Sequence, residues 1–224
     1  MSAAGIWKAL SALLAYPSEE LVHALPDVAA VFERESRLGG TQRGALASLV
    51  AWLNRSDLLD VQESYVALFD RGRATSLHLF EHVHGDSRAR GQAMVELQTL
   101  YAKAGLRPAV NELPDYLPMM LEYLSLANEN EARDMLGDCA HIVRAIGEAL
   151  AGRGSRYAAV LSAILAIVGE PGLAPSREPG QATSDAALDD EWVEEPVHFG
   201  PPGGAGCGAS QPQTSVVRIV PRQP

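Results

Sequence analysis

Apolar residues recur every three to four positions through most of the chain, and this spacing constrains the fold more than any other feature. Ile6, Leu10, Leu13 and Leu14 form the first such stripe, and the clearest one lies within residues 129–151. Residues at this spacing share one face of an α-helix, whereas a half-buried strand alternates strictly. No convincing run of strict alternation occurs. We therefore predict an all-α fold, a single-domain helical bundle.

Capping and breaking residues predict where the helices begin and end. Ser, Thr and Asp side chains accept hydrogen bonds from the free N–H groups of a first helical turn, while Gly and Pro interrupt helices. Further helices are predicted from Ser18, over residues 27–38, from Thr41, from Asp57, over residues 76–83, from Ser87, and over residues 114–127, 129–151 and 155–168.

The composition changes after Gly169, where Pro, Gly, Ser and Gln become frequent. Such a stretch buries too little apolar surface to offset the entropy of ordering it. We predict a helical domain over residues 1–168 and a largely disordered tail over residues 169–224. The tail's apolar residues Trp192, Val197 and Phe199 are either a short docking segment or incidental. Its one cluster of charged residues is acidic: Asp185, Asp189, Asp190, Glu191, Glu194 and Glu195.

Charge and cysteine content exclude several classes of protein. The formal net charge is −10, which disfavours nucleic-acid binding because that draws on Lys and Arg. Cys139 and Cys207 form neither a CxxC pair nor a zinc spacing. The N-terminal apolar run is too short for a signal peptide, and no segment reaches the length needed to cross a bilayer. We expect a cytoplasmic protein without stable membrane insertion and without a cofactor.

The segment around His78 carries a pattern typical of a metal site. His78, Glu81 and His82 match H-x-x-E-H, in which two histidines one helical turn apart hold zinc and the glutamate activates water. Three fixed positions arise by chance often, and no third ligand is evident. In the alternative interpretation these side chains cap helices, form pairs or pack in an interface. A zinc-dependent hydrolase is thus the minor hypothesis, and no metal is predicted.

The segment from Glu112 to Leu124 suggests a peptide-binding surface. If the helix begins at Pro114, Asp115 and Glu122 lie two turns apart on one face, opposite a buried side that includes Leu113 and Leu117. Two carboxylates beside Tyr and Met suit a groove for an apolar helix with basic residues. An ordinary amphipathic helix explains the same spacing equally well. No other catalytic motif is present, and the residues alone indicate an acidic helical binding protein.

Three stretches resemble the NarJ-type nitrate reductase assembly chaperones of the wider TorD/DmsD-like family. They are Leu13-Leu-Ala-Tyr-Pro17, the block from Glu63 to Met94, and Glu112-Leu-Pro-Asp-Tyr-Leu-Pro followed by Leu121-Glu-Tyr-Leu124. In the wider family an Asp-His pair contributes to signal-peptide binding. This chain keeps Asp115 but has Tyr116 in place of the histidine, so only the aspartate carries over directly.

The resemblance implies a chaperone without catalysis of its own. Its partner would be the N-terminal segment of the apo catalytic subunit of respiratory nitrate reductase, bound while molybdenum cofactor is inserted and before membrane attachment. The same role for another molybdoenzyme stays open. We predict a partner-peptide site formed by Tyr65, Phe69, His78, Glu81, His82, Glu112, Asp115, Tyr116, Met119 and Glu122.

Overall fold

A computed structural model describes residues 4–83, 87–106 and 112–174. Every regular element in these ranges is a helix or a short 3₁₀ turn, which confirms the predicted all-α fold. The elements are α1 (Ala4–Leu14), α2 (Glu19–Arg34), α3 (Gly40–Arg55), α4 (Leu58–Phe69), two 3₁₀ turns (Arg73–Thr75 and Leu79–Glu81), α5 (Ser87–Lys103), α6 (Leu117–Leu124), α7 (Glu129–Asp138), α8 (Ala140–Gly152) and α9 (Ala158–Val168). The predicted tail lies outside the described residues from position 175 onward, so the division at residue 169 stays a prediction.

The core is formed where α1 meets α6 and α9, helices from distant parts of the described sequence. α1 packs against α6, α8 packs against α9, and α2 packs against α3. Trp7, Leu10 and Leu14 of α1 are fully buried, and α9 is buried on most of its surface. No helix in the described part of the chain is long and apolar enough to cross a membrane.

Two of the predicted helix starts are confirmed by their capping hydrogen bonds. Ser18 Oγ accepts from the Leu21 backbone N–H at 3.2 Å, and Asp57 Oδ1 accepts from that of Leu59 at 2.9 Å. The predicted break before residue 27 is wrong, because α2 continues through Pro26. Its apolar face continues across the proline from Leu21 and Leu25 to Val28 and Phe32, and this burial outweighs the lost backbone hydrogen bond.

The predicted helix over residues 129–151 is two helices that meet at Cys139. The φ/ψ angles of Cys139 are −94° and 0°, outside the helical region, and the N–H groups of Ile142 and Val143 both donate to its carbonyl at 3.0 Å. The apolar spacing passes through the junction unbroken, from Leu136 to Ala140. A change of helix direction is therefore invisible in the periodicity.

The predicted helices over residues 76–83 and 114–127 are also wrong, because the N-terminal parts of the two segments form hydrogen bonds with each other. The Leu117 N–H donates to the Leu77 carbonyl at 2.9 Å, and the Leu79 N–H donates to the Asp115 carbonyl at 3.1 Å. These bonds form an isolated antiparallel bridge between His78 and Tyr116. Backbone groups that form hydrogen bonds across the bridge cannot also form the hydrogen bonds of an α-helix. Residues 76–83 therefore contain only the 3₁₀ turn Leu79–Glu81, and α6 begins after Tyr116.

Candidate functional site

A cleft of about 250 Å³ opens where the end of α1, the end of α4 and the two bridged segments meet. Pro17, which directly follows Tyr16, accepts a hydrogen bond at its carbonyl from Gln62 Nε2 at 2.8 Å, which ties the end of α1 to α4. The cleft is lined by Tyr16, Tyr65, Phe69, Asp70, Leu77, His78, Glu112 and Tyr116.

Aromatic rings held by hydrogen bonds form much of the cleft wall. The Tyr65 hydroxyl donates to the Leu14 carbonyl at 2.7 Å and lies 3.0 Å from the Tyr116 hydroxyl. The Tyr65 ring meets Phe69 with centroids 4.6 Å apart and meets Tyr16 edge-on at 5.6 Å. Burial raises the pKa of both Tyr65 and Tyr116, so both hydroxyls are neutral at physiological pH. Tyr16 itself lines the cleft and is 52% exposed.

Asp115 lies behind the cleft and connects its two bridged segments. It is 0% exposed. One carboxylate oxygen accepts from the Phe80 backbone N–H at 3.0 Å, and the other lies 3.4 Å from Nδ1 of His78. The His78 ring stacks at a tilt on Tyr116, with centroids 5.3 Å apart. Asp115 therefore positions His78 and the turn after it without being accessible itself.

Two exposed carboxylates give the cleft a negative rim. Asp70 follows α4, and Glu112 begins the second bridged segment. Burial raises the pKa of the Tyr116 hydroxyl, and the negative charges of Glu112 and Asp70 raise it further. Neither carboxylate has an ion-pair partner within the ranges that the structure describes. An aromatic cleft with carboxylates at its rim suits a ligand that is apolar on one side and carries basic groups.

The structure brings together six of the ten residues predicted for the partner site. Five line the cleft and Asp115 supports it from behind. The other four lie elsewhere: Glu81 on the 3₁₀ turn, His82 directly after it, and Met119 and Glu122 on α6. Of the α6 pair, Met119 is buried and Glu122 is exposed, and neither lines the cleft.

The geometry behind the zinc hypothesis is wrong. His78 and His82 flank a 3₁₀ turn rather than sharing a helical face. Nδ1 of His78 faces Asp115, and Nε2 of His82 lies 2.8 Å from the Ser76 carbonyl. No group of three or more His, Cys, Asp or Glu side chains suited to a metal ion occurs in the described ranges.

The predicted pairing of Asp115 with Glu122 on one helical face is likewise wrong. Asp115 precedes α6 and is buried, whereas Glu122 is exposed within it. Leu113, predicted to be buried, is 46% exposed for the same reason. Asp70 and Glu112 are the carboxylates that reach the cleft.

Sequence reasoning missed three residues of the cleft, namely Tyr16, Asp70 and Leu77. A signal for each was present, because all three lie in the stretches that carry the family resemblance. Tyr16 belongs to Leu-Ala-Tyr-Pro, and the other two lie within the block from Glu63 to Met94.

Comparison with known proteins gives extended matches. Residues 37–163 match the family model of the nitrate reductase delta subunit. NarJ of Escherichia coli K12, a nitrate reductase molybdenum cofactor assembly chaperone, is 39% identical over 206 residues, covering 90% of this chain and 86% of NarJ. NarW of the same strain is 37% identical over 211 residues, covering 92% of this chain and 88% of NarW.

A solved structure supports the fold. A crystal structure from Archaeoglobus fulgidus, described as a redox enzyme maturation protein, superposes with a TM-score of 0.52 at 21% identity. It covers 73% of this chain and 92% of that one, and the likeness concerns the fold alone. The resemblance inferred from the three sequence stretches is confirmed by the family match. The chain therefore belongs to the nitrate reductase delta subunit family, as a NarJ-type chaperone rather than an enzyme.

Proposed function

We propose that this chaperone binds the N-terminal segment of the apo catalytic subunit of respiratory nitrate reductase. Binding would hold that subunit while molybdenum cofactor is inserted and the complex assembles, before attachment to the membrane. The names of the relatives NarJ and NarW support a role in cofactor assembly for nitrate reductase. A cytoplasmic location is part of the proposal, and cell fractionation tests it.

The cleft carries the proposal, because it combines aromatic walls with an acidic rim. Tyr16 is half-exposed and offers apolar area at a small loss of side-chain entropy, and the buried rings of Tyr65 and Phe69 pack behind it. Asp70 and Glu112 can form charge-assisted hydrogen bonds with basic residues of a bound helix. His78 and Tyr116 add polar groups whose positions are fixed by Asp115 and by Tyr65.

Calorimetric titration with a peptide of the client's N-terminus tests the proposal. We expect a dissociation constant of about 1 μM or tighter, or about −8 kcal/mol and beyond. Asp70→Asn with Glu112→Gln should weaken binding by about 0.2–1 kcal/mol per carboxylate, and added salt should reduce the affinity of the native protein. Tyr116→Ala should weaken binding by removing a wall of the cleft.

The matched control is Glu33→Gln with Glu148→Gln, which makes the same charge change at exposed positions on α2 and α8. If this control weakens binding as much as the rim variant, net charge rather than the cleft is responsible. Glu122→Gln, measured alongside, shows whether the exposed face of α6 contributes as the sequence pattern suggested. Absence of heat with the peptide, together with absence of a complex with the full apo subunit, contradicts the proposal.

The client and the step assisted need separate measurements. Pull-down with the full chain from cells that express several molybdoenzymes should recover the nitrate reductase catalytic subunit. Molybdenum content of the reductase, compared between cells with the native chain and cells with the rim variant, tests cofactor insertion. Recovery of a different molybdoenzyme alone would keep the chaperone role and change the client.

A further inference from the structure

Tyr65 and Tyr116 form a chain of two hydrogen bonds in the wall of the cleft. The Tyr65 hydroxyl contacts the Leu14 carbonyl oxygen at 2.7 Å and the Tyr116 hydroxyl at 3.0 Å. Burial raises the pKa of both tyrosines, so each hydroxyl keeps its single proton at neutral pH. Two protons are therefore distributed among three oxygen atoms. Their positions decide which kind of hydrogen bond the cleft offers to a ligand.

The Leu14 carbonyl fixes the direction of both hydrogen bonds. A carbonyl oxygen can only accept, so the Tyr65 hydroxyl must donate to it. Leu14 is fully buried at the end of α1, and Pro17, three positions later, has no N–H group to offer. If Tyr65 donated to Tyr116 instead, this buried carbonyl would lose its hydrogen bond, which is unfavourable. The bond between the two tyrosines therefore runs from the Tyr116 hydroxyl to the Tyr65 oxygen.

This direction makes the Tyr116 oxygen an acceptor toward the cleft. Its proton is used in the bond to Tyr65, while its oxygen keeps lone-pair capacity. Tyr116 is only partly buried and lines the cleft, so a ligand can reach it. A ligand can therefore donate to the Tyr116 oxygen, but it cannot accept from Tyr116 without breaking the bond to Tyr65.

The polar groups beside Tyr116 are acceptors as well. Asp70 and Glu112 are exposed residues that line the cleft, and their negative charges act on the Tyr116 hydroxyl. The His78 ring stacks on Tyr116, and its Nδ1 lies 3.4 Å from the Asp115 carboxylate. Because that carboxylate accepts, Nδ1 carries the proton, and the other nitrogen of the neutral ring has a lone pair. The groups around Tyr116 thus accept hydrogen bonds and do not donate them.

We propose that Tyr65 sets the direction of hydrogen bonding in this cleft and thereby selects a cationic N–H donor, such as a guanidinium or ammonium group, as the ligand. The donor binds the Tyr116 oxygen beside the carboxylates of Asp70 and Glu112. Such cations carry several N–H groups and no acceptor, so every polar group finds a partner. A neutral amide brings an acceptor that finds no proton here. Tyr65 is a positioning residue, because it acts through Tyr116.

The inference rests on the proposed function only for the source of the cation, a basic side chain of the client segment. A small cation tests the cleft without any client. Methylguanidinium is titrated into the full chain, and the ring signals of Tyr116 are followed by NMR. We expect a shift that saturates. Tetramethylammonium has the same charge but no N–H group, and at equal ionic strength it should give a much smaller shift.

Tyr65→Phe tests the role of the proton. Without the Tyr65 oxygen, the Tyr116 hydroxyl can donate to a rim carboxylate or to a ligand. We expect the preference for methylguanidinium over neutral methylurea to fall by about fivefold or more, the equivalent of about one net hydrogen bond. The matched control is Tyr157→Phe, which removes a buried hydroxyl without a hydrogen-bond partner among the described residues. Its ring packs on Tyr65 with centroids 6.0 Å apart, and the preference should be unchanged.

A double-mutant cycle shows whether Tyr65 acts through Tyr116. Tyr116→Phe should weaken methylguanidinium binding by removing the acceptor, and Tyr65→Phe should then cause no further loss. Additive losses overturn the role of Tyr65. A preference that falls equally in Tyr157→Phe also overturns it.

Peptide calorimetry separates this proposal from the proposed function. Saturable binding of methylguanidinium without binding of the client peptide supports the cation site and contradicts the client. Binding of the peptide, with equal responses to methylguanidinium and tetramethylammonium, overturns the cation site and leaves the client in place. In that case charge and apolar packing would account for peptide binding without directed hydrogen bonds.

Discussion

Asp115 and His78 are joined across the bridged segments, with the buried carboxylate 3.4 Å from Nδ1 of the half-buried ring. The second carboxylate oxygen accepts from the Phe80 backbone N–H at 3.0 Å. One side chain thus fixes both the orientation of His78 and the path of the turn that follows. Because Asp115 is inaccessible, the proposed client binding would depend on it only indirectly, through the residues that it positions.

Removal of the Asp115 carboxylate should lower both stability and client affinity. Asp115→Ala leaves the Phe80 N–H buried without an acceptor, which costs about 1–3 kcal/mol in the free energy of unfolding. Asp115→Asn should cost less, because the amide oxygen still accepts from Phe80. Denaturant unfolding measures the two variants, and calorimetry gives their peptide affinities. A stability of Asp115→Ala equal to that of the native protein would show that the buried hydrogen bonds are not needed.

Tyr65 should matter more to stability than Tyr116, although the two hydroxyls contact each other. Tyr65→Phe removes the hydrogen bond to the Leu14 carbonyl and the contact with Tyr116. Tyr116→Phe removes only the latter. We expect a loss of about 0.5–1.5 kcal/mol per hydrogen bond, and therefore a larger loss for Tyr65→Phe. Thermal or denaturant unfolding of the two variants makes the comparison, and the reverse order would contradict the structure.

Gly147 and Leu173 should be energetically coupled. Alanine favours the helical conformation over glycine by about 1 kcal/mol. In Gly147→Ala, however, the added methyl group would lie against Leu173 Cδ1 and 3.1 Å from Leu161 Cβ. We expect the substitution to destabilise the native protein and to be less harmful in a Leu173→Ala background, where the closer contact is absent. Unfolding free energies of the two single variants and the double variant complete the cycle. Equal effects of Gly147→Ala in both backgrounds would mean that Leu173 does not occupy this site.

Alkaline pH should destabilise the protein through its buried tyrosines. Burial raises the pKa of Tyr65, Tyr101, Tyr116, Tyr123 and Tyr157. A raised pKa means that the folded chain retains protons which the unfolded chain releases. The stabilisation is complete below the unfolded value of about 10 and is lost as pH rises through the folded values, about 12 for Tyr123.

Unfolding free energy and tyrosinate absorbance, measured together across this pH range, check the prediction. We expect stability to fall above pH of about 10 and most tyrosinate to form as the protein unfolds. Tyr101→Phe offers a test at one position, because it removes a tyrosine whose hydroxyl donates to the Pro114 carbonyl at 2.8 Å. This variant should be less stable near neutral pH and should lose less stability on alkalinisation. Formation of most of the tyrosinate well before unfolding would contradict the burial of these five side chains.

Features that depend on neighbouring residues could be predicted from the sequence. The all-α fold follows from apolar spacing, and the helix starts after Ser18 and Asp57 follow from capping side chains within three positions of their partners. The family was accessible too, because its characteristic residues form continuous stretches. The end of α9 also depends on a single residue, because Gly169 has a φ of +91°, a conformation that favours glycine.

Only the tertiary structure decided which side chains form the site. Pairing of residues 77–79 with 115–117 replaces helical hydrogen bonds by bonds across the chain, and it buries Asp115 while leaving Asp70 and Glu112 at the rim. The partners in such contacts are distant in sequence, as in the hydrogen bond from Tyr65 to Leu14, so no local period records them. Helical spacing therefore determined the class of fold. Long-range hydrogen bonds and packing decided that the predicted aromatic residues share one cleft, and that Asp115 and Glu122 do not lie together in it.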